Sequence, residues 1–541
     1  MTAPENARAG APRTAPYAWV VLGMLAFIYV FNFLDRQLMS TVIESIKRDT
    51  GFTDAEMGYM TGFWFALVYT TFGVVVGFFA DRTSRRNVLF CGAVLWSAFT
   101  AMCGMATNYW MMLAARVGVG VGEAAGTPPS YSIISDYFPA EKRGAALAIF
   151  SLGVPFGQAL AVAFGSQIDI IWGWRAAFIG IGIAGIFAAI LMYFVVREPR
   201  RGAMDPPHLA AIAHETSGFG ETFWEFVNRP VLLFTALSCG LSAFVGYAAL
   251  NWNAPFLLRV QGMTREELSI WYALMLAIAL GLGTWLSGVM VDWLAKRSRV
   301  WYAMLPALTF AIATPFWYFA TQAASWQAAL AILSVPTFLT IFYLAPGIAL
   351  VNNSVKPSQR TMSSAILLMV LNFIGLGGGP TLVGALSTSF TASKLEAGLG
   401  VTPEQVGAYL KMTTAEAKTL PENVQTAIVA AGAGGLRDAL AWMTPFYLVA
   451  IFLLLLQALA VSRELKAGAP IRDGGARLGI VLLVVGAVGL VANFVMRGPA
   501  AMVSISDVLS MTQGLMLLIA TLAGTFLCFK AIRSRSSVDA L

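Results

Sequence analysis

Fourteen apolar stretches run through this chain from end to end, at about 17–42, 57–80, 87–107, 109–136, 144–167, 176–196, 230–256, 267–294, 300–321, 326–352, 362–386, 438–461, 478–496 and 508–530. Each is close to the ~20 residues that carry an α-helix across a ~30 Å hydrocarbon core. Water is absent from that core, so a segment crosses only with its backbone hydrogen bonds closed internally, as a helix or within a closed barrel. Continuous apolar runs of this length specify helices, since barrel strands alternate over about ten residues. The expected fold is therefore an all-α integral membrane protein of fourteen spans. Composition agrees: 58% of the 541 residues are hydrophobic and 12% are charged, against about 25% charged in a soluble domain. The first stretch is longer than a signal core, contains Asn32, Asp35 and Arg36 and has no small-residue cleavage site, so it is expected to stay as a span. Residues 1–16, rich in Ala and Pro, read as a tail.

The formal net charge of +7 does not indicate nucleic acid, because the cations cluster between spans. Arg82, Arg85 and Arg86; Lys142 and Arg143; Arg197, Arg200 and Arg201; Lys296, Arg297 and Arg299; and Arg463, Lys466, Arg472 and Arg477 all fall on the side of the N-terminus. The positive-inside rule makes that side cytoplasmic. A multi-pass protein of the plasma (inner) membrane with both termini cytoplasmic is expected, as a monomer. Cys91, Cys103, Cys239 and Cys528 lie within or at the ends of spans with no CxxC, which supports neither a disulfide framework nor a zinc site. His208 and His214 both lie in a polar linker, leaving no Ser/His or Cys/His pair in the spans. Neither an enzyme nor a cofactor or metal site is expected.

Internal repetition organises the spans. Gly77, Asp81, Arg85 and Arg86 recur as Gly288, Asp292, Lys296 and Arg297, each pair 211 residues apart. Arg143-Gly-Ala-Ala-Leu-Ala-Ile149 and Arg360-Thr-Met-Ser-Ser-Ala-Ile366 match at Arg, Ala and Ile with an offset of 217. Two six-span halves in the same orientation, 17–196 and 230–462, joined by the linker 197–229, are the parallel-repeat plan of a rocking secondary transporter. Spans thirteen and fourteen, within 463–541, fall outside the repeat and are expected at its periphery.

Gly77-Phe-Phe-Ala-Asp81-Arg82-Thr-Ser84-Arg85-Arg86 resembles the signature loop of the major facilitator superfamily, with Ser84 where Gly is usual. Asn32-Phe-Leu-Asp35-Arg36, Arg116-Val-Gly-Val-Gly-Val-Gly-Glu123-Ala, Asp136-Tyr-Phe-Pro139 and Gly153-Val-Pro155-Phe-Gly157 are similar to the spinster family of lipid transporters, over roughly residues 25–200. The chain departs from the spinster pattern at Ala125-Gly-Thr-Pro-Pro129 and in its two additional spans. The resemblance implies a major-facilitator fold and transport of lysolipids or sphingoid-type lipids. It also implies that the Asp81 loop stabilises the outward-facing state through contacts that break as the halves rock.

Four charges lie deep in the first half: Asp35 and Arg36 on span one, Arg116 and Glu123 on span four. An ionised residue at the bilayer centre costs about 2.5–3.5 kcal/mol even on the lenient insertion scale, so each is read as a functional group with a buried partner. Arg116 and Glu123 share a helix face but stand about 10 Å apart along it, too far to pair with each other. An Asp35–Arg116 contact is expected, with Arg36 available to Glu123 in one conformation. A carboxylate that loses its partner takes up a proton, which makes Glu123 and Asp35 the candidate proton carriers and Arg36 and Arg116 their partners or headgroup anchors. A static ion-pair network is the alternative.

Asp81 and Asp292, beside Arg82, Arg85, Arg86, Lys296 and Arg297, are expected to latch the halves at the inner face, with Asp136 and Arg143 in the neighbouring loops. Asn32, Asn251, Asn253, Asn352 and Asn353 are candidate polar groups of a cavity. Gly118, Gly120 and Gly122 imitate a dinucleotide loop but lack a strand-to-helix setting, and read as helix packing. Pro128-Pro129 should bend span four. Residues 387–437 are expected as a long outer loop with short helices at the capping boxes Thr402-x-x-Gln405 and Thr413-x-x-Glu416. The substrate expected is a small amphiphilic lipid, with an organic or aromatic anion as the alternative, driven by a proton gradient.

Overall fold

The computed structural model describes residues 15–204, 219–356, 359–468 and 470. Among these residues there is no strand. Eleven helical stretches are long and apolar enough to cross a membrane. The expected spans at 478–496 and 508–530, the tail residues 1–14, and His208 and His214 lie outside the described residues.

The first half is built from α1 (Pro16–Thr41), α2 (Ile43–Thr50), α3 (Asp54–Thr61), α4 (Phe63–Arg82), α5 (Arg85–Gly104), α6 (Tyr109–Glu123), α7 (Thr127–Tyr137), α8 (Ala140–Ser151), α9 (Gly153–Trp172) and α10 (Trp174–Val195). Local chemistry sets the boundaries. Ser84 caps α5 and Asn108 caps α6, each accepting from the backbone N–H three residues on; Thr53 and Glu56 make a reciprocal capping box for α3. Such caps satisfy N–H groups that the helix itself leaves open. The crossing at 109–137 is broken: α6 stops at Glu123, and α7 restarts with proline in its first turn, where its missing N–H costs nothing. The bend expected from Pro128-Pro129 is thus a complete interruption, directly after the glutamate.

The second half comprises α11 (Phe219–Asn228), α12 (Pro230–Pro255), α13 (Ala273–Ala295), α14 (Trp301–Thr321), α15 (Trp326–Leu339), α16 (Leu344–Ser354), α17 (Arg360–Leu371), α18 (Gly377–Leu399), α19 (Pro403–Leu410), α20 (Thr414–Ala417), α21 (Glu422–Ala441) and α22 (Thr444–Ala467). The stretch 387–437, expected as a loop, is largely helical. α18 runs on to Leu399 through the helix formers Lys394, Leu395, Glu396 and Ala397, and α21, which is Ala-rich, begins at Glu422. The capping boxes at Thr402 and Thr413 form between them.

Within the first half α5 packs on α10 and α6, and α1 packs on α9. The α5–α6 contact is a backbone approach. A Cβ on Gly122 would lie 2.5 Å from the Trp96 amide nitrogen and 2.9 Å from the Gly92 carbonyl, and one on Gly118 would enter the Phe99 ring. The glycine run is packing, the reading that separated it from a nucleotide loop.

The halves meet chiefly at the end away from the basic loops, where α3 packs on α18, α1 on α12 and α9 on α13. The basic loops around Arg82–Arg86 and Lys296–Arg299 mark the opposite end, called here the basic end.

Gly122→Ala is expected to destabilise the first half by about 1–3 kcal/mol, the usual cost of overpacking. Gly180→Ala should be tolerated, because a Cβ there meets open space. Thermal unfolding of the two purified variants in detergent compares them directly.

Candidate functional site

Asp35 and Arg36 are consecutive on α1, so they point about 100° apart around the helix. Arg36 turns toward α4 and α6. Its Nε and Nη2 donate to Glu123 Oε2 at 3.1 and 2.5 Å, and the Glu123 side chain is fully buried while that of Arg36 is 11% exposed. The same guanidinium lies over the rings of Phe33, Phe65 and Tyr69 at 5.0, 5.1 and 4.9 Å, a geometry in which aromatic quadrupoles stabilise a desolvated cation. The Arg36–Glu123 contact expected for one conformation is the one present.

The expected Asp35–Arg116 ion pair is not formed. Asp35 turns toward α5, next to Thr100, and both of its oxygens are buried without a hydrogen bond. Arg116 instead lies over the Phe65 ring at 4.9 Å, with its Nε buried and unpartnered. Phe65 therefore carries a guanidinium contact from each arginine.

Arg36 reaches a narrow pocket between the halves, about 10 Å³ in volume and so no larger than a water molecule. Phe33, Arg36 and Gln37 of α1, Thr61 of α3 and Gln158 of α9 line it from the first half; Tyr247, Leu250 and Asn251 of α12, with Leu376, line it from the second. Asn251 accepts from Ser40 at 2.7 Å and Gln37 donates to the Leu250 carbonyl at 3.0 Å, so two wall residues also tie the halves together. Asn32 is buried beside the turn between α6 and α7, with its Nδ2 unpartnered. Asn253 is buried one turn from the pocket wall. Asn352 and Asn353, expected in the cavity, sit at the basic end instead: their carbonyls accept from Arg360 and Arg299. They close α16, where exposed carbonyls attract arginine. Gln37, Gln158 and Tyr247 went unnoticed in the sequence because neutral polar side chains within spans are common.

Ionic contacts close the end opposite the basic loops. Arg259 donates to Glu44 at 2.6 Å and to both Asp54 oxygens at 2.6 and 2.8 Å. Asp54 also accepts from Lys47 and from Ser387 of α18. A second bridge joins Arg265 to Asp169 at 3.1 Å, beside a Gln167–Ser269 hydrogen bond. The Ala55 and Phe63 amides donate to Thr388 and Thr381. The sequence offered no signal for these residues, since charges at span ends are ordinary.

At the basic end Arg85 is buried and fully engaged. It donates to Asp136 at 2.5 Å, Glu198 at 2.8 Å, Ser132 at 2.7 Å and the Pro199 carbonyl at 3.0 Å. Asp136 also accepts from the Gly202 amide, and Arg201 donates to the Ala80 and Thr83 carbonyls. The start of the linker is thus strapped onto the signature loop. Burial works against the Glu198 charge, but the Arg86 amide, the Arg85 guanidinium and the Ser84 hydroxyl outweigh it and hold the carboxyl below its usual range. Arg86 stacks on Tyr193 and Arg297 on Trp293; Arg143 donates to the Ser135 carbonyl. Arg82, Lys296 and Asp292 are exposed, and Gly77 and Gly288 face open space. Among the described residues Asp292 makes no ion pair, and the Asp81 side chain lies outside them.

Comparison with known proteins agrees with this architecture. The Major Facilitator Superfamily matches residues 25–380. An MFS-type efflux pump of Mycolicibacterium smegmatis is 29% identical over 374 residues, 69% of this chain and 85% of the relative. The sphingosine-1-phosphate transporter of Danio rerio is 29% identical over 256 residues, 47% of this chain and 50% of the relative. The crystal structure of a bacterial homolog of the human lysosomal transporter spinster, inward-facing and unoccupied, is 30% identical and superposes with a TM-score of 0.74, covering 84% of this chain and 99% of that one. With a family match over most of its length, and a central charged pocket between two helical halves, the chain belongs to the major facilitator superfamily and is a spinster-like membrane transporter.

Proposed function

We propose that this transporter is proton-coupled, works by alternating access in the plasma (inner) membrane, and moves lysolipid or sphingolipid-like amphiphiles bearing an anionic headgroup. The observation that carries the reading is the Arg36–Glu123 pair at the edge of the pocket between the halves. A proton on Glu123 dissolves the pair and frees a guanidinium for an anion; departure of the anion restores it. Asp35 supplies a second proton site, since an ionised carboxylate buried without a partner is costly and both of its oxygens are in that position. Phe33, Leu250 and Leu376 give the pocket apolar walls beside the Arg36 guanidinium. The similarity to a sphingosine-1-phosphate transporter and to a spinster homolog favours a lipid over a small organic anion.

With the basic end cytoplasmic, the conformation described is closed to the outside by the Arg259, Glu44 and Asp54 contacts and faces inward. Asp81 then acts in the opposite state, latching the basic end when the outer contacts part.

Purified protein in liposomes under an imposed proton gradient tests the substrate. Lysophospholipid or sphingoid phosphate uptake should resist competition by small organic anions; flux that saturates with the small anion and ignores lipid would assign the alternative substrate. In the same assay Glu123→Gln and Asp35→Asn should each weaken the response to the gradient by about 5–150-fold, the usual range of a coupling free energy. If both leave gradient-driven uptake unchanged, the four charges are a static scaffold.

Removing one partner from a buried ionic cluster is strongly destabilising to the state that contains it. Arg259→Gln is therefore expected to lengthen the distance between spin labels at Met105 and Ala324, both exposed at the outer end, by moving the population toward the outward-open form. Asp81→Asn should move it the other way, and an unchanged distance distribution would remove the latch.

A further inference from the structure

Most polar groups lining the central pocket are already occupied. Asn251 is held on both sides, by Ser40 and by the Tyr247 carbonyl; Thr61 donates to the Met57 carbonyl; Gln37 donates to the Leu250 carbonyl. Gln158 differs. It is 5% exposed, lines the pocket, and its Oε1 is buried without a hydrogen-bond partner; among the described residues its amide makes no hydrogen bond at all. A buried amide costs free energy unless something completes its hydrogen bonds, so an unused one facing a pocket is a group waiting for a ligand.

The placement of Gln158 is specified by its neighbour. A Cβ on Gly157 would lie 2.5 Å from the Val30 carbonyl and 2.8 Å from the Phe33 Cβ. The bare glycine lets α9 lie directly on α1, and the next residue then emerges into the pocket that Phe33 and Arg36 also line. Two recognition elements of different chemistry therefore face one small space. Arg36 offers charge to an anion, and the amide offers an acceptor and donors to a neutral or cationic hydrogen-bonding group.

We propose that Gln158 is a specificity-determining residue of the transport site, reading a hydroxyl or amine that stands next to the anionic group held by Arg36. The assignment rests on the anionic-amphiphile reading above and sharpens it. An anionic amphiphile whose headgroup also bears a hydrogen-bond donor satisfies both residues, while one with a bare anion leaves the amide buried and unpaired. Sites built to hydrogen-bond a substrate group discriminate strongly against analogues that lack it, for that reason.

Lysophosphatidate, which carries a glycerol hydroxyl, and the alkyl phosphate of matched chain length, which does not, are the probes. In proteoliposomes the wild type is expected to favour lysophosphatidate by roughly tenfold or more in kcat/KM, the size expected when one buried polar group is left unpaired. Gln158→Leu, checked for a monodisperse fold by gel filtration, should bring that ratio close to one, and Gln158→Asn should restore part of it. A wild-type ratio of one, or a ratio unchanged in Gln158→Leu, overturns the assignment while the lipid reading stands. Uptake of neither phosphate by folded wild type, with small organic anions transported, overturns the lipid reading and this assignment with it.

Discussion

A guanidinium placed inside a bilayer protein has to be compensated from several directions at once, because neither water nor lipid will do it. Arg36 meets that requirement with one carboxylate, Glu123, and three aromatic rings. Planarity makes this possible: the edge of the guanidinium donates to the carboxylate while its faces remain free for rings, which a compact ammonium could not do. The arrangement fixes more than one side chain. It requires α1, α4 and α6 to converge at Phe65, and Phe65 also receives Arg116. It also leaves Asp35 turned about 100° away around α1, buried with neither oxygen hydrogen-bonded.

Around this cluster the two ends of the molecule are held by different means. The end opposite the basic loops is joined across the halves by Arg259, Glu44 and Asp54, by Arg265 and Asp169, and by threonine hydroxyls meeting backbone amides. At the basic end Arg85, Asp136 and Glu198 bind the start of the linker to the first half. That network is internal to the first half and its strap. The internal repeat therefore conceals a structural asymmetry. Arg85 is enclosed by acids, whereas its counterpart Lys296 and the repeated Asp292 are exposed.

Much of the fold was legible in the sequence because lipid is a severe solvent. Apolar length and backbone closure select helices, and the short helices at Thr402 and Thr413 follow from the capping boxes that start them. Glu123 and Arg36 were legible as partners because charge inside a span is rare enough to demand one. Asp35 and Arg116 show where that logic stops. Matching depth and opposite sign suggested a pair, but pairing also depends on rotation about the helix axis and on what fills the space between. Here Asp35 turns toward Thr100 of α5, while Arg116 lies over the Phe65 ring.

Asn352, Asn353 and Gln158 mark the same limit for neutral groups. All are amides in apolar stretches, with no difference in local pattern, yet the first two close a helix at the basic end and the third faces the pocket. Their roles depend on which helices cross nearby. By itself the sequence determined the membrane-spanning helices, the repeated loop motifs and the few charges that lie within the spans. Only the tertiary structure decided which carboxylate met which arginine, which amide was left open, and which end was shut, because those outcomes depend on close approaches such as Gly157 against α1 and Gly122 against α5, and on side chains brought together from distant parts of the chain.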